Sequence, residues 1–264
     1  MDSDSQLKKS SLQREAGWLF VSDFASMISG LVGQIILIWA LSGEEYGLFV
    51  IALDTCFTVL VLLDTGLSAR VTRDVGRFPN IAQTLVKRVV RFQITFALLF
   101  SPLAFFILTR YWGIKWFFGS IILICGVTVH IISMTHRGAL RGIGLAKHEA
   151  ISRLIERIGA TSAYLVLAFY GASNPEYFVV SAGLFFILGS SYSFYVWEEN
   201  SPVVVGDSSS PISVKELILP AIPFALGYWL LTVNYRLPKM ILGNFVSFAE
   251  VGIFNIAMIC FLSA

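Results

Sequence analysis

The sequence is short of charge. Asp, Glu, Lys and Arg together make up 14% of its 264 residues, whereas ordinary soluble domains contain about 25%. A soluble chain of this length would need a charge-rich surface to cover its core, and too few charges are present to supply one. The net charge of +2 also gives no electrostatic case for binding nucleic acid. We therefore expect neither a soluble globular domain nor a nucleic-acid partner.

Cysteines and catalytic motifs are also scarce. The three cysteines stand singly in apolar runs without CxxC spacing, so we interpret them as small hydrophobic residues rather than metal ligands or disulfide partners. The three histidines lack the spacing of a metal site. The chain contains no Walker loop, no HExxH and no GxSxG motif. We therefore expect no enzymatic activity, no metal and no bound cofactor.

Long apolar runs are what the sequence contains instead. A membrane-spanning helix needs about 20 mainly apolar residues. Seven stretches meet or approach that length, namely residues 16–41, 47–67, 92–109, 116–135, 155–171, 177–197 and 217–237, and an eighth begins near Val251. The first is too long for the apolar part of a signal peptide, about 7–15 residues, so we predict a retained helix after a cytoplasmic tail of residues 1–15. The predicted fold is an all-α polytopic membrane protein.

The basic residues predict its orientation. With the N-terminus placed in the cytoplasm, the cytoplasmic segments carry 15 of the 19 Lys and Arg residues. The opposite segments carry only Arg110, Lys115, Arg236 and Lys239. Short cytoplasmic loops of membrane proteins are enriched in Lys and Arg. We therefore predict a multi-pass protein of the cytoplasmic membrane with its N-terminus inside.

An internal repeat predicts two lobes. Residues 45–52 (EYGLFVIA) match residues 250–257 (EVGIFNIA) at five of eight positions, and each octet opens a new apolar run. Transporters are often built as two six-helix bundles related by an axis along the membrane normal. We therefore predict a six-helix lobe at residues 16–197, a Ser- and Pro-rich linker at 198–215, and the beginning of a second lobe at 216–264. Its last helix is expected to continue beyond the sequence.

Polar side chains within the runs are candidate cavity residues, because such groups are costly in the bilayer unless they face a cavity or a partner. In the first run, Asp23 and Gln34 share a helix face with small residues. An alternative interpretation is helix packing through that small-residue face. In the second run, Asp54 lies deep and has no charged partner close in sequence.

The seventh run supplies two more candidates. Pro220 and Pro223 are expected to bend this helix, and Asn234 lies on the same predicted face as Pro223. Arg236 follows near its outer end, where it would attract an anionic substrate or simply extend towards the membrane interface.

Four arginines at two predicted cytoplasmic corners could bind phosphate. Arg70 and Arg73 follow the second run, and Arg137 and Arg141 follow the fourth. Guanidinium groups bind phosphate through two parallel hydrogen bonds. The alternative, that these residues set the topology and contact anionic lipid headgroups, is the stronger interpretation. Asp74 is also placed to pair with Arg70.

Three passages carry a family resemblance: residues 45–49 (EYGLF) running on to 63–73 (LDTGLSARVTR), residues 137–144 (RGALRGIG), and residues 220–224 (PAIPF) through 236–243 (RLPKMILG) to 251–254 (VGIF). On these passages the chain resembles the polysaccharide and O-antigen flippases of the multidrug/oligosaccharidyl-lipid/polysaccharide exporter superfamily. In one departure, Pro238 lies in a stretch where family members often have an acidic residue. This departure weakens the carry-over of a charge-paired site at the outer end of the seventh run.

The resemblance implies a V-shaped pair of six-helix bundles that moves a lipid-linked oligosaccharide across the membrane by alternating access. In such a fold the first, second, seventh and eighth helices line the cavity. The implied partners are the lipid-linked sugar, the bilayer and polysaccharide-assembly membrane proteins, and the coupling to a proton or sodium gradient or to membrane potential is left open. Two alternatives stand beside this hypothesis: a cation-coupled small-molecule exporter using Asp23 and Asp54, and a non-transporting scaffold or membrane-embedded glycosyltransferase.

Overall fold

The computed structural model describes residues 3–64, 66–202 and 222–263. Within these ranges the chain forms nine α-helices: α1 (Ser3–Ala40), α2 (Gly43–Leu60), α3 (Leu67–Arg77), α4 (Ala82–Phe106), α5 (Phe117–Gly142), α6 (Ala146–Phe169), α7 (Pro175–Asn200), α8 (Ile222–Leu242) and α9 (Phe248–Ser263). Short 3₁₀ turns follow α2 and precede α4, and a π-helical turn at Ile107–Tyr111 extends α4.

In the part of the chain that the structure describes, four helical segments are long and apolar enough to cross a membrane: Gln13–Ala40, Pro79–Tyr111, Phe117–Gly142 and Pro175–Asn200. The outward faces of these segments expose large apolar side chains, with Trp39 at 71% and Leu98 at 74% exposure. Exposed apolar faces on four helices would be unfavourable in water and are favourable in contact with lipid. The remaining long helices, α2, α6 and α8, carry charged side chains in their middle turns. The chain is an all-α polytopic membrane protein, as predicted.

Helix α3 lies between two predicted runs. Its apolar residues Leu67, Val71 and Val75 are buried, because a spacing of four places them on one face. That face packs on α5, where Gly138 and Gly142 permit the close approach: a Cβ at Gly138 would lie 2.7 Å from the Ser68 carbonyl oxygen. The opposite face carries the arginines of the first predicted basic corner.

The predicted boundaries agree only in part with the helices. Helix α1 begins at Ser3, so most of the predicted tail at residues 1–15 is continuous with the first spanning helix. Most of the predicted linker at 198–215 lies outside the described residues, as does Pro220. Helix α8 continues through Pro238 to Leu242 and therefore ends five residues later than the predicted run. The division into two lobes stays a prediction.

The two copies of the repeat begin helices in the same way. Ser42 accepts a hydrogen bond from the Glu45 backbone N–H while the Ser42 N–H donates to the Glu45 carboxylate at 2.9 Å. Ser247 and Glu250 make the same reciprocal pair at the start of α9. Both are capping boxes, which satisfy backbone donors that a helix start leaves unpaired.

The two capped helices also touch each other. A Cβ on Gly47 of α2 would overlap the carbonyl oxygen of Phe248, and a Cβ on Gly252 of α9 would lie 2.8 Å from the Tyr46 ring. We call this end of the molecule, where α1 joins α2 and α8 joins α9, the capped end. The other end, where α5 joins α6 near Arg141 and Lys147, is called the basic end.

Candidate functional site

Two connected compartments lie between the helices. The central compartment has a volume of about 360 Å³ and is lined by residues of α1, α2, α6, α7, α8 and α9. The basic-end compartment has a volume of about 310 Å³ and is lined from α1, α2, α5, α6 and α8. Four residues line both: Phe57, Glu156, Arg157 and Arg236. These four form the partition between the compartments.

Aromatic contacts fix the partition. The Arg236 guanidinium lies over the Phe57 ring at 4.4 Å from its centroid, a cation–π arrangement. The same ring makes edge contacts with Phe186 at 5.6 Å and His130 at 5.8 Å between centroids. Phe57 therefore holds a cation of α8 against the interior of α2, α5 and α7.

Asp54 lies between two cations of α8. Arg236 Nη1 is 2.6 Å from Asp54 Oδ1, and Lys239 Nζ is 2.6 Å from Oδ2. Asp54 is 4% exposed and, at residue 54 of a helix that starts at 43, lies about 16 Å along α2 at 1.5 Å per residue. The ion pair thus lies well inside α2, away from both of its ends, and it gives α8 a charge-paired site at a place where the resemblance offered only weak support for one.

An amide network extends this ion pair towards α1. Lys239 donates to Asn255 Oδ1 at 3.0 Å, and the Asn255 amide donates to the Tyr46 hydroxyl at 2.8 Å. Tyr46 in turn donates to Gln34 Oε1 at 2.6 Å. The network joins α1, α2, α8 and α9 across the central compartment and places Gln34, a predicted cavity residue, on its wall.

A second buried charge cluster borders the basic-end compartment. Glu156 Oε1 accepts from the Arg137 guanidinium and lies 3.0 Å from His130 Nδ1. Because a carboxylate oxygen only accepts, His130 Nδ1 must carry the proton of this bond. Arg137 was a predicted phosphate ligand, and it lines the compartment with its charge already compensated by Glu156.

Arg157 is the cation lining the two compartments that makes no ion pair with any described residue. Together the two compartments are lined by five cationic side chains (Arg137, Arg153, Arg157, Arg236, Lys239) and four carboxylates (Asp23, Asp54, Asp64, Glu156). Arg153 pairs with Asp23, and Asp64 accepts hydrogen bonds from Ser68. In the described part of the chain, Arg157 has no carboxylate within 4.0 Å and its guanidinium makes no hydrogen bond. An anion in the cavity would find this group available.

A lateral groove leads to the same arginine. It has a volume of about 470 Å³ and is lined by residues of α1, together with Arg157 of α6 and Ile259 of α9. Asp23 and Gln34 both line this groove. The cavity can therefore be reached from the side of the bundle between α1 and α9.

The remaining predicted site residues lie elsewhere. Arg70 and Arg73 both pair with Asp74 on α3, at 3.0 and 2.9 Å, and line neither compartment. Arg141 pairs with Glu149 and also lies outside both. Asn234 is exposed. The cavity face of α8 carries Thr232, Arg236 and Lys239, and 3.6 residues per turn places Asn234 on the opposite side.

Sequence reasoning missed several residues of the site. Glu156 and Arg157 fall at the very start of the fifth predicted run, residues 155–171, whereas α6 begins at Ala146 and places both well inside a helix. Their signal was present, since adjacent ionisable residues within an apolar helix indicate a functional or paired position. Lys239 and Asn255 gave no such signal, because their partners are on other helices.

The polysaccharide biosynthesis protein family matches residues 12–259. The chain belongs to this family. It is therefore a multi-pass membrane protein of a transporter-type family connected with polysaccharide biosynthesis. No curated protein and no solved structure matches it significantly.

Proposed function

We propose that this family member is a flippase that moves lipid-linked oligosaccharide or polysaccharide precursors across the cytoplasmic membrane by alternating access. The observation that carries the proposal is Arg157, a cation that makes no ion pair with any described residue and lines a polar cavity in the middle of a membrane-embedded bundle. A charged group inside a membrane-embedded bundle is costly unless it faces a partner or a cavity, so the position of Arg157 favours a ligand that supplies the missing anion. The phosphate groups of a lipid-linked sugar are such an anion.

The shape of the cavity supports a substrate with two unlike parts. The lateral groove between α1 and α9 includes the apolar side chains Met27, Leu31 and Ile259 and reaches Arg157. A lipid tail could remain in the bilayer along this groove while its phosphate contacts Arg157 and its sugar enters the central compartment. We place the basic end in the cytoplasm, since Lys and Arg are enriched in cytoplasmic loops.

The exporter alternative receives less support from the same residues. It would use Asp23 and Asp54 to bind Na⁺ or H⁺, yet Asp23 pairs with Arg153 and Asp54 with Arg236 and Lys239. A carboxylate already held by one or two cations has little remaining attraction for a third.

Replacement of Arg157 tests the proposal. In the full-length protein, Arg157→Gln should lower surface polysaccharide roughly tenfold, which corresponds to about 1.4 kcal/mol of lost phosphate binding. Arg157→Lys should retain part of the activity, because it keeps the charge but not the two-pronged hydrogen bonding. The assay is surface polysaccharide in cells that depend on this protein.

The matched control is Arg91→Gln, which removes an exposed arginine of α4 that lines neither compartment. Its surface polysaccharide should equal that of the unmodified protein. Normal surface polysaccharide in Arg157→Gln, at equal protein levels, would remove Arg157 from the mechanism and with it the main support for a flippase.

A further inference from the structure

Arg236 and Lys239 together resemble an anion-binding site that is already filled by a side chain. They lie three residues apart on α8 and thus on one face, and each contacts a different oxygen of Asp54 at 2.6 Å. Two cations around two oxygens of one group is also the way proteins hold a phosphate. One carboxylate compensates only one of the two positive charges, so the site keeps an excess of positive charge.

The carboxylate and its two cations lie on helices that differ in burial: α2 is packed inside the bundle around Asp54, whereas α8 is partly exposed near the cations. Around Asp54, the neighbouring α2 residues Ile51, Thr55 and Cys56 are fully buried, which fixes α2 within the helix array. Near the cations, α8 exposes Tyr235 and Leu237. Separation of the two helices would leave a buried carboxylate and two cations without partners, which is strongly unfavourable. The ion pair therefore holds α8 against α2 while the cavity is empty.

A phosphate in the cavity reaches the same cations. Arg236 lines both compartments, as Arg157 does, and Lys239 lines the central one. A diphosphate bound by Arg157 at the partition would thus have Arg236 as its next cation. With the second phosphate taking the place of the carboxylate on Arg236, the attraction between α8 and α2 would be reduced.

We propose that Asp54 is a built-in competitor of the substrate diphosphate: it occupies the Arg236–Lys239 site in the empty cavity and is displaced when the substrate binds. The inference rests on the proposed function and deepens it. Asp54 is a positioning residue that keeps α8 on α2 until an external anion replaces it. Helices α2 and α8 therefore separate only when substrate is bound, and the protein does not pass through its alternating-access cycle without substrate.

The test is a binding measurement with the full-length protein in lipid nanodiscs. Farnesyl diphosphate serves as a short lipid diphosphate, and inorganic pyrophosphate tests the anion without a lipid tail. Asp54→Asn should bind both probes roughly tenfold more tightly than the unmodified protein, while surface polysaccharide in cells falls. A merely structural role for Asp54 would lower both binding and transport, so tighter binding with less transport identifies the competitor.

Asp74→Asn is the matched control, because Asp74 is also one carboxylate between two cations, Arg70 and Arg73, but lies outside the cavity. Its affinity for both probes should not change. Lys239→Gln supplies a second arm should Asp54→Asn fail to fold: it removes one cation of the site and should weaken binding roughly tenfold.

Equal or weaker binding by folded Asp54→Asn would overturn the inference, as would unchanged binding by Lys239→Gln. If the unmodified protein binds farnesyl diphosphate and Asp54→Asn binds it no more tightly, this inference fails while the flippase proposal stands. Binding of neither probe by any variant would refute both. If Asp54→Asn binds pyrophosphate as well as farnesyl diphosphate more tightly, the gain in affinity comes from the phosphates and does not need the lipid tail.

Discussion

At the capped end, α2 and α9 touch backbone to backbone, whereas nearer the basic end the same helix α2 borders a cavity lined by charge. Gly47 meets the Phe248 carbonyl at the capped end, and each helix begins with its own capping box. Nearer the basic end, the contacts are ion pairs such as Glu156–Arg137. Where two helix backbones pack directly against each other, the helices resist separation. An ion pair, in contrast, can be broken when a charged ligand replaces one of its partners. The comparison indicates that the capped end is the closed side of the bundle.

The largest expected effect comes from the charged region. Glu156→Gln leaves Arg137 buried at 5% side-chain exposure without its counter-charge, and such a loss costs about 3–5 kcal/mol. We expect a correspondingly lower free energy of unfolding for the purified protein in detergent. Glu199→Gln, an exposed change at the end of α7, should leave that free energy unchanged. Equal stabilities of the two variants would show that the charge cluster does not hold this region together.

A smaller effect is expected at the capped end. Gly47→Ala introduces a Cβ that collides with the Phe248 backbone, and overpacking of this kind costs about 1–3 kcal/mol. Gly227→Ala is the matched control, since a Cβ there meets nothing within 4 Å. The measurement is again the free energy of unfolding. A fully stable Gly47→Ala protein would mean that α2 and α9 separate easily and that the capped end is not closed.

The smallest effect concerns the capping boxes. Ser42→Ala and Ser247→Ala each remove one side-chain acceptor of a helix start, at a cost of about 1 kcal/mol each. Ser42→Asp should restore stability, because aspartate also caps helices. If only Ser42→Ala destabilises the protein, the two repeat copies contribute unequally and the similarity of the two helix starts has no energetic counterpart.

Hydropathy was sufficient to locate the helices that enter the membrane. Each apolar run is mainly helical within the described residues, because a bilayer leaves the backbone no other partner. The second run is the exception at its end, where α2 stops at Leu60 and a turn at Gly66 precedes α3. Helix α3 was missed, since its 11 residues lie between runs and its apolar positions show only a short periodic pattern. Hydropathy also gave no sign that α1 begins at Ser3, because polar residues can continue a helix beyond its apolar part.

The sequence could predict the candidate site only where its residues lie on the same helix, because helical spacing then determines which side chains share a face. Asp23 and Gln34 were placed on one face by helical spacing, and both line the lateral groove. The ion pair between Asp54 and Arg236 joins residues 182 positions apart, and no local pattern contains that information. Asn234 shares one face of α8 with Pro223, because eleven residues make about three turns, whereas Arg236 and Lys239 line the cavity from the other face.

The internal repeat aligns residues on different sides of the cavity that differ in charge. The offset that aligns the two octets also aligns Gln34 with Lys239 and Asp54 with Ile259. One member of each aligned pair, Gln34 or Ile259, lines the lateral groove, and the other belongs to the ion pair between α2 and α8. The two copies begin their helices in the same way, but at these aligned positions only Asp54 and Lys239 carry a charge. The charge at these positions is therefore confined to the contact between α2 and α8, and the repeat does not place the same ion pair on the side of the cavity that α1 and α9 form.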